Sequence, residues 1–391
     1  MIPIEYQITD TRDTKELAKI SFSGYQIKDV VQALSKSMIN CKIEEAVNWS
    51  VELLLSGQTE KYWEKIFSIA LKNINTNNPK LPNFLFKRYS RFVSLKIKYS
   101  GSVKSTNVAG FLSLRNSQII RNMICEVCVT ICNSTKLKPI ILPKIKDSDF
   151  NSEFIKTKIV ANNSNIVNDK LKYGDPEELR IPLNEFNFCI KTRKWELAVY
   201  WLAWILEWER RNTKRDKFYI CGFRKIDGIE EKLCTDVIWI IWEILIKEIG
   251  YLKDDNASTQ VFSLYKLYKF DFKPAKKSKR VFFILYAIKY FTEIYSFKQE
   301  IIPNYYQLIQ ACSNINIMFY DKKKYEVNKH KSHIEKTAHH NIVNNISNEK
   351  QTKMEKGELK RLKKIADIKI KNKINAVEKI DTRILSKVNS I

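Results

Sequence analysis

The chain has 391 residues, of which 44% are hydrophobic, and its formal net charge is +25. This content of apolar residues excludes a wholly disordered protein, and the length is sufficient for two or three domains. The positive charge favours an anionic partner, chiefly nucleic acid. A second interpretation of the charge stays open, because abundant Lys, Asn and Ile beside only nine Gly and nine Pro are also the bias of an AT-rich genome.

The N-terminal sequence, MIPIEYQITDTRDTKELAK, has no apolar run behind a basic one. It predicts no secretory signal, so the protein is expected to be intracellular and not secreted. The longest apolar runs, VIWIIWEILI and VFFILYAI, are shorter than the roughly 20 residues that span a bilayer, so no membrane partner is expected. The eight cysteines are expected to remain thiols, since a reducing compartment disfavours structural disulfides.

Apolar residues recur at spacings of three and four along most of the chain, which predicts a mainly α-helical fold. In the first part, helices are predicted over five segments: 25–39, 44–55, 60–74, 84–94 and 117–134. A turn at 41–43 separates the first two helices, and Gly57 follows the second where a left-handed residue commonly ends a helix. Residues 75–83, NTNNPKLPN, predict a break before the fourth helix.

Residues 142–182 contain polar, turn-forming stretches such as ANNSN and YGDPEE and are predicted to link two domains. After this linker the sequence repeats an earlier pattern. At an offset of 152 residues, four pairs of positions carry the same residue: Glu44 and Glu196, Ala46 and Ala198, Val47 and Val199, and Trp49 and Trp201. A longer loop is predicted over 209–234, and the last two helices over 259–270 and 278–297. Duplication of a helical domain is therefore predicted.

The chain becomes polar and basic from about residue 321. Residues 322–350 are predicted to be disordered, because a segment this polar buries too little apolar area to offset its chain entropy. Farther on, Leu359, Leu362 and Ile365 predict one apolar face of a basic amphipathic helix over 355–374.

The first part carries aromatic and small residues at a distinctive spacing: Tyr25, Ala33, Leu34, Lys36, Ser37, Glu45, Ala46, Trp49, Gly57, Tyr62, Ile69, Ala70, Asn78 and Pro79. Over residues 20–140 this pattern resembles the C-terminal helical domain of the RarA/MgsA clamp-loader-like AAA+ ATPases. The resemblance implies an oligomerisation collar of the kind that holds ATPase modules together on DNA, in which the matched residues serve packing. The chain departs from the family at residues 71–73, where Leu, Lys and Asn replace a usual acidic pair, so no partner contact through that pair is implied.

With this resemblance, the predicted fold is all-α, with two tandem diverged collar-like domains followed by a basic, largely disordered tail. The predicted segments are an N-terminal extension 1–19, a first domain 20–141, a linker 142–182, a second domain 183–320 and the tail 321–391. None of the nine glycines begins the GxxxxGK[ST] loop that cradles phosphates, so the ATPase part of the family is absent and no cofactor is expected. The AT-rich composition and the tandem arrangement also resemble proteins of giant DNA viruses, which implies the host cytoplasm or nucleus.

Two groups of residues contain potential metal ligands. Cys125, Cys128 and Cys132 form CxxCxxxC, a spacing known from zinc and iron–sulfur ligation. The same spacing places all three on one face of an apolar helix, and we expect them to pack in the core. All four histidines, at 330, 333, 339 and 340, lie in the tail, where no scaffold fixes a metal site. The domains therefore lack a histidine base, and we expect no enzyme.

Two further patterns are interpreted as structural. Trp195, Trp201, Trp204 and Trp208 form a stripe along one helix, which is expected to be core rather than a stacking platform for bases. The carboxylates considered for acid–base chemistry are Glu44, Glu45, Glu52, Glu207 and Glu209. They are expected to be helix-surface or capping groups.

Basic clusters are the predicted functional residues. Three clusters are predicted to bind nucleic acid: Lys87, Arg88 and Arg91; Lys276, Lys277, Lys279 and Arg280; and Lys360, Arg361, Lys363 and Lys364. Each cation that neutralises a phosphate releases counterions, which gives affinity without sequence preference. The predicted function is a non-catalytic oligomerisation or scaffold protein of DNA replication or repair. Its predicted partners are nucleic acid and either a second copy or replication or repair proteins. The alternative is a virion structural or genome-packaging protein.

Overall fold

Thirteen α-helices and no β-strand are found within residues 2–101, 107–216 and 221–327, the residues that this computed structural model describes. The prediction of an all-α fold is confirmed. The predicted amphipathic helix over 355–374 and most of the predicted disordered segment lie outside the described residues. Among the helices that are described, none combines the length and the apolarity that a membrane span needs.

The first part of the chain forms six helices: α1 (Ile27–Ile39), α2 (Ile43–Leu55), α3 (Thr59–Ile69), α4 (Leu81–Ser100), α5 (Val108–Arg115) and α6 (Gln118–Asn133). A π-helical turn, Ala70–Ile74, continues α3. The five predicted helices are all present, but α4 is longer at both ends and α5 was not predicted. Pro82 lies in the first turn of α4, where its missing N–H breaks no hydrogen bond.

The second part forms seven helices: α7 (Ser152–Lys156), α8 (Arg180–Lys191), α9 (Trp195–Asp216), α10 (Ile238–Lys247), α11 (Asp255–Lys269), α12 (Lys277–Thr292) and α13 (Tyr305–Lys322). The predicted start of the loop at residue 209 is wrong, because α9 continues to Asp216. Glu207 pairs with Arg210 and Arg211 at helical spacings, which favours the longer helix. The sequence did not predict α13.

One hydrophobic cluster runs through both parts of the chain. Between them, Phe67 and Phe283 have ring centroids 5.8 Å apart. The hydroxyl of Tyr286 donates to the backbone oxygen of Asn75 at 2.6 Å, and that of Tyr290 to the oxygen of Pro79 at 2.6 Å. Residues up to Glu326 belong to one compact unit. The division into two domains stays a prediction.

The core contains most of the residues that the sequence assigned to it. Cys125, Cys128 and Cys132 are completely buried, which confirms that they pack in the core. Trp201, Trp204 and Trp208 are also buried, as predicted, while Trp195 is half-buried.

The segment before α1 also reaches the core. Ile8 and Leu17 are buried in it. Arg115, itself completely buried, donates hydrogen bonds to the backbone oxygens of Leu55, Asp10 and Arg12 at 2.5–3.2 Å. This guanidinium therefore ties the N-terminal segment to the end of α2.

The prediction of surface carboxylates holds for Glu44 and Glu45, which are exposed, but it is wrong for Glu52. Glu52 is completely buried and accepts a 2.6 Å bond from the ammonium of Lys322. Lys322 was predicted to begin a disordered segment, yet it is a buried residue of α13. A buried carboxylate is tolerated when a cation neutralises it, and the sequence gives no local sign of a partner 270 residues away.

Candidate nucleic-acid and self-association interfaces

The first predicted basic cluster lies along α4. Lys87 and Arg91 are one turn apart and both are exposed. Arg88 instead forms an ion pair with Glu126 of α6, and its guanidinium lies 4.9 Å from the centre of the Phe84 ring. The cluster therefore presents two cations to solvent, and its third member joins α4 to α6.

The second predicted cluster lies where α12 begins, and most of it is engaged within the protein. Lys276 pairs with Asp271 at 3.0 Å and with Glu64 at 3.3 Å. Arg280 is half-buried and donates to the backbone oxygen of Leu267 at 2.5 Å. Burial lowers the pKa of Arg280 from its ordinary value. Lys279 is exposed.

Lys277 is held between two carboxylates. Its ammonium lies 2.6 Å from both oxygens of Glu209 and 2.8 Å from both oxygens of Asp236. Burial and the neighbouring Asp236 charge together raise the pKa of Glu209. Burial would lower the pKa of Lys277, but the two carboxylates overcome it and the pKa is raised. The three side chains, which we call the Lys277 cluster, carry one net negative charge when all are ionised.

The first two predicted clusters come together around Tyr89 of α4. Its ring packs on Phe270 at 5.1 Å. Burial raises the pKa of its hydroxyl, and Arg280 and Lys276 are among the charges that act on it. The third cluster, Lys360, Arg361, Lys363 and Lys364, lies outside the described residues. Among the predicted cations that the structure describes, Lys87, Arg91 and Lys279 are exposed and can meet an anion.

One further cation, which the sequence did not predict, lies beside these. Lys266 of α11 is exposed, and its ammonium lies 5.2 Å from the centre of the Phe86 ring on α4. Helices α4 and α11 lie side by side, since the backbone N–H of Asn83 donates to the side chain of Gln260 at 2.9 Å. Lys266 and Lys269 are separated by two apolar or aromatic residues in LYKLYKF, so no run of adjacent charges marks Lys266 in the sequence.

Helix α13 has apolar residues on two opposite faces. Ala311, Ile315 and Phe319 are buried toward the core. The other face is exposed to solvent and carries Tyr305 (63%), Tyr306 (74%), Ile309 (63%), Ile317 (52%) and Tyr320 (54%), with exposed Ser313 between Ile309 and Ile317. We call these five apolar and aromatic residues the α13 outer face. Exposed apolar surface of this kind commonly marks an interaction site.

Polar contacts hold α13 in place along its length. Near its start, Asn133 of α6 donates to Gln307 at 2.7 Å. Farther along, Arg121 donates to Asn316 at 2.8 Å and its guanidinium lies 3.6 Å from the centre of the Phe319 ring. At its end is the pair of Lys322 with Glu52. The backbone that presents the α13 outer face is therefore fixed before any partner arrives.

The ion pair that fixes the end of α13 also lowers the pKa of Glu52. Burial alone would raise the pKa of Glu52, but the charge and hydrogen bond of Lys322 bring it below its ordinary value of 4.5. Ser23 contributes a backbone N–H bond of 2.7 Å to the same carboxylate. Glu52 is thus ionised at neutral pH despite its burial.

The chain matches no protein-family model, no curated protein and no solved structure. The likeness of residues 20–140 to clamp-loader-like collar domains therefore stays a prediction.

Proposed function

We propose that the protein is a non-catalytic helical scaffold that associates with a second copy of itself through the α13 outer face and contacts nucleic acid through exposed basic residues. The observation that carries the proposal is the exposure of three tyrosines and two isoleucines on one side of a helix whose other side is packed in the core.

The size of the α13 outer face fits a dimer contact. A buried aromatic side chain covers about 150–250 Å², so the exposed parts of the five residues amount to roughly 600 Å² for each copy. A standard interface buries about 800 Å² on each partner. Rim residues around the helix supply the remainder.

The charges of α13 favour a two-fold, antiparallel pairing. The first turn of α13 has no acidic residue, while its end is followed by Lys323 and Lys324. In a parallel pair these lysines of the two copies would meet and repel. In an antiparallel pair they lie beside the uncharged start of the partner helix, and the helix dipoles oppose each other favourably.

Two observations support the contact with nucleic acid. Lys87, Arg91, Lys266 and Lys279 are exposed cations, and the formal net charge of the chain is +25. A role in DNA replication or repair is supported by the resemblance of the first part of the chain to clamp-loader-like collar domains.

Sedimentation equilibrium of the full chain over a salt series tests the self-association. Because two copies each carry +25, added salt screens their repulsion and the dimer is expected to become tighter. The double variant Ile309→Asn/Ile317→Asn is expected to weaken the dimer at least tenfold. The matched control, Ile97→Asn/Ile181→Asn, changes two isoleucines that are 43% and 45% exposed elsewhere and should leave it unchanged.

A wild-type chain that stays monomeric at every protein and salt concentration would contradict the self-association. So would an equal loss of dimer in both double variants. Far-ultraviolet circular dichroism of each variant shows whether the helices are retained.

Fluorescence anisotropy with a short labelled duplex tests the contact with nucleic acid. Here added salt is expected to weaken binding, the opposite of its effect on the dimer. The variant Lys87→Gln/Arg91→Gln/Lys279→Gln is compared with Lys360→Gln/Arg361→Gln/Lys363→Gln/Lys364→Gln, both in the full chain. Each lost phosphate contact should reduce the salt slope by about one. Binding that neither variant nor salt changes would refute the proposal.

A further inference from the structure

An open cleft of about 1170 Å³ lies beside the Lys277 cluster. Its walls are formed by α9, by the start of α12, by the chain before α10 and by the extended segment around residues 142–145. Much of the lining is apolar, including Leu142, Ile145, Leu206, Leu233 and Val281. Clefts of roughly 300–1,000 Å³ with apolar walls and a few converging polar groups commonly bind small molecules.

Three polar side chains converge on this cleft as the Lys277 cluster. The side chains of Glu209 and Lys277 are 16% and 15% exposed, and that of Asp236 is 12% exposed. They come from α9, from the start of α12 and from the residues before α10, so the cleft wall is built where three segments meet. Both oxygens of Glu209 and Oδ2 of Asp236 keep a free lone pair after their bonds to Lys277, whereas Oδ1 of Asp236 also accepts from the backbone N–H of Ile238.

The charge of the cluster is not balanced. Two carboxylates face one ammonium, which leaves one negative charge in a largely apolar cleft, and an unpaired charge in such surroundings is unfavourable. A second cation at this position would complete a neutral group of two acids and two bases. We propose that the cleft binds an aliphatic amine or guanidine, with its cationic head on Glu209 and Asp236 and its hydrocarbon chain along the apolar walls.

The cleft lining also contains the cations Lys144, Arg210 and Lys232, but each is paired or exposed and so attracts an anionic ligand only weakly. Arg210 is paired with Glu207 at 2.5 Å, and Lys232 with Glu230 at 2.8 Å. Lys144 is exposed, so water and salt screen its charge. A ligand that enters the cleft meets the partly buried carboxylates, where the local dielectric constant is lower and a charge acts more strongly.

Isothermal titration of the full chain with octylammonium and with octanoate tests the proposal, because the two probes share a chain and differ in the sign of the head. Octylammonium is expected to bind at least fivefold more tightly. Equal or tighter binding of octanoate, or no binding of octylammonium, would overturn the proposal. Spermidine as a third probe shows whether a free polyamine is held as well as a single amine with an alkyl chain.

Variants of the cluster give effects of opposite sign. Asp236→Asn keeps a side chain that can accept the 3.0 Å bond from the backbone N–H of Ile238, yet it removes the excess charge, so octylammonium affinity should fall at least fivefold. Glu209→Gln should do the same. Lys277→Met removes the cation that competes for the two carboxylates and should bind octylammonium at least as tightly as the wild type.

The control Glu60→Gln removes a negative charge from an exposed position on α3 and should change nothing. If Asp236→Asn binds as the wild type does, or Lys277→Met loses binding while still folded, the carboxylates are not the site. Neither result depends on dimer formation or on binding of the labelled duplex, so this proposal and the scaffold function fail separately.

Discussion

Helices α2 and α9 occupy aligned positions in the two parts of the chain and end differently. At the offset of 152 residues, Gly57 is aligned with Glu209. In the first part α2 stops at Leu55, and Gly57 follows with a φ of +69°. In the second part α9 continues through Glu209 to Asp216. A single aligned position thus carries a helix stop in one part and a cleft carboxylate in the other.

The two parts also neutralise their buried acids in different ways. Glu52 of α2 has one cation, Lys322, and both side chains are nearly without solvent. Glu209 of α9 shares Lys277 with Asp236 and borders an open cleft. The first arrangement is thus a closed structural pair, whereas the second keeps a net charge beside a cleft that a ligand can enter.

The largest effect should come from removing the two lysines. Lys322→Met leaves Glu52 buried without a neutralising cation, which is expected to lower the free energy of unfolding by about 3–5 kcal/mol. Lys277→Met should lower it by about 1–3 kcal/mol, because two adjacent carboxylates beside water can retain a shared proton. Urea unfolding of both variants measures the difference, with exposed Lys279→Met as the control. An equal loss for both lysines would contradict the contrast between closed pair and open cluster.

A medium effect is expected from the helix stop. An added Cβ at Gly57 would lie 2.4 Å from Cγ2 of Thr14 and 2.8 Å from Cζ of Phe111. Gly57→Ala should therefore combine the left-handed backbone cost of about 1 kcal/mol with an overpacking cost of about 1–3 kcal/mol.

Gly101 provides a matched control for that variant. It ends α4 with a φ of +71°, and an added Cβ there meets no atom within 4 Å. Gly101→Ala should show the backbone cost alone, about 1 kcal/mol. Thermal unfolding of the two variants compares them directly. A midpoint shift at Gly57 no larger than the shift at Gly101 would show that the contacts with Thr14 and Phe111 relax freely.

The smallest effect should appear in the pH dependence of stability, where the two acids have opposite signs. The pKa of Glu52 lies below its ordinary value of 4.5, so its contribution is present above that pH and is lost as the pH falls through the lowered pKa. The pKa of Glu209 is raised, so its ionisation opposes folding as the pH rises from 4.5 through the raised value.

Unfolding of the wild type, Glu52→Gln and Glu209→Gln at about pH 7, 5.5, 4.5 and 3.5 measures these slopes. Relative to Glu52→Gln, the wild type should lose stability only below about pH 4.5. Relative to Glu209→Gln, the wild type should gain stability as the pH falls from about 7 to about 4.5. Each pKa unit of separation corresponds to about 1.4 kcal/mol. Slopes of the same sign for both acids would refute the opposite directions of the Glu52 and Glu209 pKa shifts.

Local periodicity was enough to predict a large share of the fold. The spacing of Val30, Leu34 and Met38 gives α1 its buried face, and the cysteines of α6 lie on a buried face for the same reason. These predictions succeed because a helix places residues three and four positions apart on one side whatever lies around it. Helix α13 was not predicted, because its apolar residues occupy two faces and show no single amphipathic period.

The candidate sites were less accessible to sequence reasoning. The sequence identified Lys276, Lys277 and Arg280 as basic, but their ion pairs and burial depend on Glu64, Asp236 and Leu267, which other segments supply. Lys266 and the α13 outer face were not identified at all.

Taken alone, the sequence determined the helical class, the core cysteines and tryptophans, and the alignment of Trp49 with Trp201. The pairing of Glu52 with Lys322, the sharing of Lys277 by two acids and the exposure of the α13 outer face depend on how distant segments pack together. The two kinds of property differ in the sequence separation of the residues that determine them. Helix formation and its apolar period are set within a few residues, whereas the burial and pairing of a charge depend on which distant segments pack beside it.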